Sequence, residues 1–156
     1  MLKSSFIVVG AVALIGAAAA PVVITGTTQS CVGGRPVITV GEGGVRVSLF
    51  NKTKVATLVT LLRTMDTTPA SSGAAMTNFV TKYRQMISLT NTSAAIARVT
   101  SDSSGKFTVN TSPVDSVLIV AYADNEDEPI YYSYKMIGGR ASSSTLLDMS
   151  RGACVR

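Results

Sequence analysis

From Ala95 to Val109 the chain reads strand, tight turn, strand: Ala95-Ile96-Ala97-Arg98-Val99-Thr100 and Lys106-Phe107-Thr108-Val109 flank Ser101-Asp102-Ser103-Ser104-Gly105. Asp, Ser and Gly are the residues that close tight turns, and the apolar positions on either side alternate with polar ones. Such a hairpin must bury one face against a further layer, so it commits this part of the chain to a small β module. The same period of two recurs upstream, in Val37 to Val40 and in Val45 to Phe50, with Val45, Val47 and Leu49 facing inward and the turn Gly41-Glu42-Gly43-Gly44 between. It recurs downstream at Val117 to Ala123, Ile130 to Ile137 and Ser142 to Met149.

Between these strands the period changes. Val55, Leu58, Val59, Leu62 and Met65, then Met76, Phe79, Val80, Tyr83, Met86 and Ile87, recur at three- and four-residue spacing, the signature of two amphipathic helices. Asp66 to Gly73, rich in Thr, Ser and Pro, links them as a helical hairpin. A methionine and aromatic stripe at this spacing is read as core, packed on a face or edge of a sandwich. Because the insertion has its own period, the flanking strands are expected to keep a β fold without residues 53–89, at lowered stability since the apolar stripes must cover something.

The first twenty residues are a separate object. Lys3 gives a positive start, Phe6 to Ala20 is small and apolar, and Pro21 interrupts the run. This predicts a secretory signal peptide over residues 1–20, with Ala17 and Ala19 as the small recognition residues and Ala20 as the new N-terminus. The competing reading is an uncleaved membrane anchor from Phe6 to Ile24. Cys31 follows Thr28-Gln29-Ser30, which lacks the bulky aliphatic residue of a lipid-attachment site. Residues 21–30, with Thr, Gly, Ser and Gln prominent, are expected to be a flexible lead-in, and residues 31–156 a single domain with the helical insertion at about 53–89.

Export places the two cysteines in an oxidising compartment, so a Cys31 to Cys154 disulfide is expected, and a loop of that length would stabilise the fold by about 4 to 5 kcal/mol on the chain-entropy model. A redox role would need a second thiol in Cys-x-x-Cys spacing, which the sequence lacks. The net charge of +5 is spread thinly over the 156 residues with no basic stripe, which argues against nucleic acid as a partner. A membrane partner enters only through an uncleaved leader.

The run Thr100-Ser101-Asp102-Ser103-Ser104-Gly105-Lys106-Phe107-Thr108-Val109, then Val117 to Tyr122, then Tyr131-Tyr132-Ser133-Tyr134, resembles the carboxypeptidase regulatory-like family of prealbumin-like (transthyretin-like) domains. In that family a T-x-D-x-x-G-x-F hairpin precedes a strand ending in V-A and another bearing paired tyrosines. Gly34-Arg35-Pro36 and Val45-Arg46-Val47-Ser48-Leu49-Phe50 are similar to its opening G-K-P and V-x-V-x-L-F strands. Ser112-Pro113-Val114-Asp115-Ser116 stands where the family has a P-P-G type turn. The resemblance implies a mainly β fold, a prealbumin-like seven-stranded antiparallel β-sandwich, here with an inserted α-helical hairpin. It implies an accessory or structural module and no catalytic residue.

The chain has no histidine, which removes the Ser-His-Asp and Cys-His mechanisms and most zinc sites. Ser103 and Lys106 have Ser-x-x-Lys spacing, but on a hairpin tip in place of the buried helix that this dyad requires. No cofactor site is read from the sequence. Asp124, Glu126, Asp127 and Glu128 form an acidic loop that is a weak calcium candidate, without the D-x-D-x-D-G order of a dedicated site. Tyr131, Tyr132 and Tyr134 are the candidate partner surface, with Tyr132 and Tyr134 on one side of their strand and Tyr131 on the other. Asn51, Asn91 and Asn110 begin glycosylation sequons that matter only in a eukaryotic secretory pathway.

The sequence therefore predicts an exported, periplasmic or extracellular, non-catalytic binding or structural module. The alternative is a subunit of an extracellular filament or surface assembly, and a hydrolase is the distant rival. A protein or polysaccharide partner and self-association are compatible with the first two.

Overall fold

Alternation decides which side of each strand is buried, and it sorts the strands into two sheets. A computed structural model describes residues 20–32, 38–67, 73–123 and 132–149. The elements in order are β1 (Val22–Val32), β2 (Ile38–Gly41), β3 (Arg46–Asn51), α1 (Ala56–Asp66), α2 (Gly73–Thr92), β4 (Ala97–Thr100), β5 (Lys106–Thr111), β6 (Val114–Tyr122), β7 (Tyr132–Gly139) and β8 (Ser143–Asp148).

The first sheet is built around β1. Parallel β8 takes one edge, pairing Ile24 with Ser143 through Gln29 with Asp148. Antiparallel β5 and β2 share the other edge end to end: the Thr28 N–H donates to the Gly105 carbonyl at 2.8 Å, and the Thr28 carbonyl accepts from the Glu42 N–H at 2.9 Å. Both main-chain groups of one strand residue point to one edge, which places the two strands in line. The second sheet has the order β4-β3-β6-β7, antiparallel throughout.

Three layers result, and the second sheet is the middle one. On β3 and β6, Val47, Leu49, Val117, Ile119 and Ala121 pack toward β1 and β5 with Ile24, Phe107 and Val109. Their alternates Phe50, Leu118, Val120 and Tyr122 pack toward the helices with Leu58, Leu62, Met65, Phe79, Tyr83 and Met86. A strand buried on both faces reads as a continuous apolar run, which is what Val117 to Tyr122 is.

The chain leaves the sheet for the helices at Asn51. Its side-chain oxygen accepts from the N–H and the hydroxyl of Thr53, opening a single 3-10 turn over Lys52–Lys54 that leads into α1. The far end of α2 is closed by Arg98, whose guanidinium donates to the carbonyls of Thr90, Asn91 and Ser93 at 3.0, 3.1 and 2.7 Å. These are carbonyls that a helix end leaves without intrahelical partners.

The two-sheet, mainly β fold with a helical hairpin is the one the sequence predicts, with three corrections. Eight strands occur among the described residues in place of seven, and the β1/β8 pair is parallel. The expected flexible lead-in at 21–30 is instead strand β1, at the centre of its sheet. Val22, Ile24, Gly26 and Thr28 point inward there while Thr25 and Thr27 point out, so the threonines that resembled loop composition are β-branched residues on an open sheet face. Residues 53–89 carry the helices that pack on the middle sheet and share a core cluster with it. The signal segment 1–19, the acidic loop 124–128 and Cys154 lie outside the described residues. Among the described residues no helix is long and apolar enough to cross a membrane.

Candidate functional site

Strand β7 forms an outer edge of the middle sheet, hydrogen-bonded to β6 alone among the described strands. Its tyrosines have different fates. Tyr132 is core, 4% exposed, with its ring centroid 6.2 Å from Phe79 and 6.3 Å from Tyr83 in tilted packing. Its ring faces the helices, which the sequence alone does not set over this strand. Tyr83 in turn donates its hydroxyl to the Ala123 carbonyl at 3.1 Å, tying α2 to the end of β6. Tyr134 shares that face but lies nearer the rim, half-buried, and donates its hydroxyl to the Asp66 carboxylate at the last residue of α1. Burial, then the Asp66 carboxylate, push the Tyr134 phenol above its ordinary pKa, so it stays a hydrogen-bond donor at neutral pH. Tyr131 lies outside the described residues.

Beside this edge is a cavity of about 460 Å³, lined by β7 from Tyr132 to Met136, by Asp66 and by Asp148 at the end of β8. Its floor is therefore a strand edge, one wall belongs to the helical layer and the other to the first sheet. Asp66 and Asp148 were not among the sequence candidates. The signal for Asp66 was present: an acid in the last turn of a helix stands where the helix dipole favours a cation.

A second open surface is the outer face of the first sheet. In-register pairing sets Ser144, Thr25 and Thr108 in one row across β8, β1 and β5, and Leu146, Thr27 and Lys106 in the next. Leu146 is 49% exposed there. Hydroxyl rows on a sheet face can hydrogen-bond a polar polymer, but they hold no acid–base pair.

Ser103 and Lys106 sit at the exposed β4–β5 turn, as the sequence predicts. The turn is organised by Asp102, whose carboxylate accepts from the Ser104 hydroxyl and N–H at 2.8 Å each and from the Lys106 N–H at 2.9 Å. The Ser104 hydroxyl and the Lys106 N–H hold the Asp102 carboxyl below the usual carboxylate range. Its role is to close the hairpin. Among the described residues no three acidic or cysteine side chains are grouped as a metal site. The weak calcium candidates Asp124, Glu126, Asp127 and Glu128 lie outside those residues. On the helical layer Lys54, Arg63 and Arg84 are exposed and Lys82 is half-buried.

No family model and no curated protein sequence matches the chain. Among solved structures it is similar to a candidate carbohydrate-binding protein from Pseudomonas aeruginosa, at 14% identity and a TM-score of 0.41, over 84% of this chain and 90% of that one. It is also similar to the shaft pilin SpaA from Lactobacillus rhamnosus GG, at 8% identity and a TM-score of 0.40, over 83% of this chain and 49% of the pilin. A third is the pilus backbone protein RrgB from Streptococcus pneumoniae, at 8% identity and a TM-score of 0.37, over 82% of this chain and 41% of that chain.

Proposed function

We propose that the chain acts after export as a non-catalytic binding or structural module, in the periplasm or at the cell surface, with a protein or polysaccharide partner. The observation that carries this reading is the β7 edge that no described strand pairs, with the cavity beside it, on a doubly packed sheet in a chain without histidine. Recessed strand edges recognise partners through main-chain hydrogen bonds.

A second reading, a subunit of an extracellular filament or surface assembly, is favoured by charge. Between residues 52 and 92 the helical layer has Lys52, Lys54, Arg63, Lys82 and Arg84 against the single acid Asp66. The segment Asp124 to Glu128 has the opposite sign. Opposite patches on one small domain suit head-to-tail association, which weakens as salt rises. Size-exclusion chromatography of the mature chain across concentration and ionic strength separates the readings. A discrete monomer or dimer supports the module, and a salt-sensitive polymer that grows with concentration supports the subunit.

A further inference from the structure

We propose that the groove along the edge of β7 that no described strand pairs receives a single extended peptide segment of a partner protein, with a lysine or arginine of that segment reaching Asp66. This rests on the binding-module reading and names its site. The first ground is the run of lining residues. Side chains of a strand alternate between faces, so a cavity over one face would be lined by every second residue. Here five consecutive residues, Tyr132 to Met136, line it. The cavity therefore follows the strand's edge, toward which main-chain N–H and C=O groups point. No described strand pairs with that edge, and an unpaired edge is a template for adding a strand.

The second ground is shape. Five strand residues span about 17 Å, the length over which the cavity follows β7. Asp66 and Asp148 stand on either side as walls. A second copy offering its own β7 edge would bring the same walls against these, whereas a lone segment fits between them.

The third ground is charge. The Asp66 side chain is exposed at the C-terminal end of α1, where its charge opposes the helix dipole. The Tyr134 hydroxyl fixes the carboxylate at the rim. A cation entering the groove would meet an oriented acceptor whose presence does not serve the helix.

A random heptapeptide library displayed on phage and selected on the immobilised full chain tests this. Enriched peptides should contain Lys or Arg. Their binding should slow amide exchange at alternate residues between Tyr132 and Met136, and Asp66→Asn, which keeps an acceptor for Tyr134, should weaken them about ten-fold. Asp66→Asn should unfold at the same temperature or higher, which separates lost binding from lost fold, and Lys135→Glu should tighten the same peptides. Recovery of no peptide, of peptides indifferent to both substitutions, or of peptides that leave β7 exchange unchanged overturns the groove assignment. So does an oligosaccharide such as cellohexaose protecting β7 where peptides do not. In each of these cases the binding-module reading is still judged separately, by the chromatographic behaviour of the mature chain.

Discussion

At Gly105 the backbone has φ of +79°, and an added β-carbon would lie 2.2 Å from the Thr28 carbonyl oxygen. Two requirements meet at this residue: the turn needs the left-handed region, and the β5 end must approach β1 closely enough for the Thr28 N–H to reach the Gly105 carbonyl. Gly105→Ala should therefore lower stability by about 2 kcal/mol or more, read from urea midpoints at unchanged slope. Tyr134 makes a different kind of prediction. Its folded pKa is raised, so its contribution is complete below the unfolded value near about 10 and declines as pH rises through that value toward the folded one. Tyr134→Phe should cost little at pH 7, since it removes one hydrogen bond to an exposed acid. Its stability should then fall less steeply than that of the parent between pH 9 and 11, and parallel curves would show that the phenol is not held protonated. The turn residues were legible in the sequence because Asp102 and Gly105 act locally. Tyr134 was legible as a face but not as a partner of Asp66, since 68 positions separate the two.

At the scale of elements, the helical pair behaves as the second half of the core. Leu58, Leu62, Met65, Phe79 and Met86 are all under 2% exposed, against Phe50, Leu118, Val120 and Tyr122 of the middle sheet. Removing residues 53–89 would leave those four and Tyr132 facing water, a patch that a monomeric domain does not tolerate. The shortened chain should lose cooperative unfolding or aggregate, and a soluble deletion variant with an intact β circular-dichroism spectrum would show that the sheets suffice. Leu62→Ala is the gentler version, expected to cost about 2 to 5 kcal/mol as a core truncation. The helices themselves were plain from the 3.6-residue spacing of these same side chains. What the spacing does not encode is which sheet face they cover, and Val117 to Tyr122 held the clue in its unbroken burial on both sides. Strand β1 escaped for the opposite reason: four of its residues are Thr or Gly, its outward positions include Thr25, Thr27 and Gln29, and only pairing on both edges makes the segment a strand.

For the whole molecule the decisive feature is the parallel pairing of β1 with β8, because it sets the last described strand beside the first. Asp148 lies opposite Gln29, two residues before Cys31 on the same strand. The Met149 N–H extends the ladder by donating to the Gln29 carbonyl at 2.7 Å. Cys154 is five residues beyond Met149, and an extended chain of that length covers about 17 Å, ample to reach a strand neighbour. The Cys31 to Cys154 disulfide expected from export is thus compatible with the topology, and it would clamp the strand on which β8, β5 and β2 all depend. Peptide mapping of the exported chain without reductant should recover the two cysteines in one cross-linked fragment. Replacing both by serine should leave the sheets in place and lower stability by about 4 to 5 kcal/mol on the chain-entropy model, less if the reduced chain retains structure. Both thiols alkylated in the untreated exported protein, or a double variant as stable as its parent, would mean that the hydrogen-bonded ladder between β1 and β8 closes the molecule by itself.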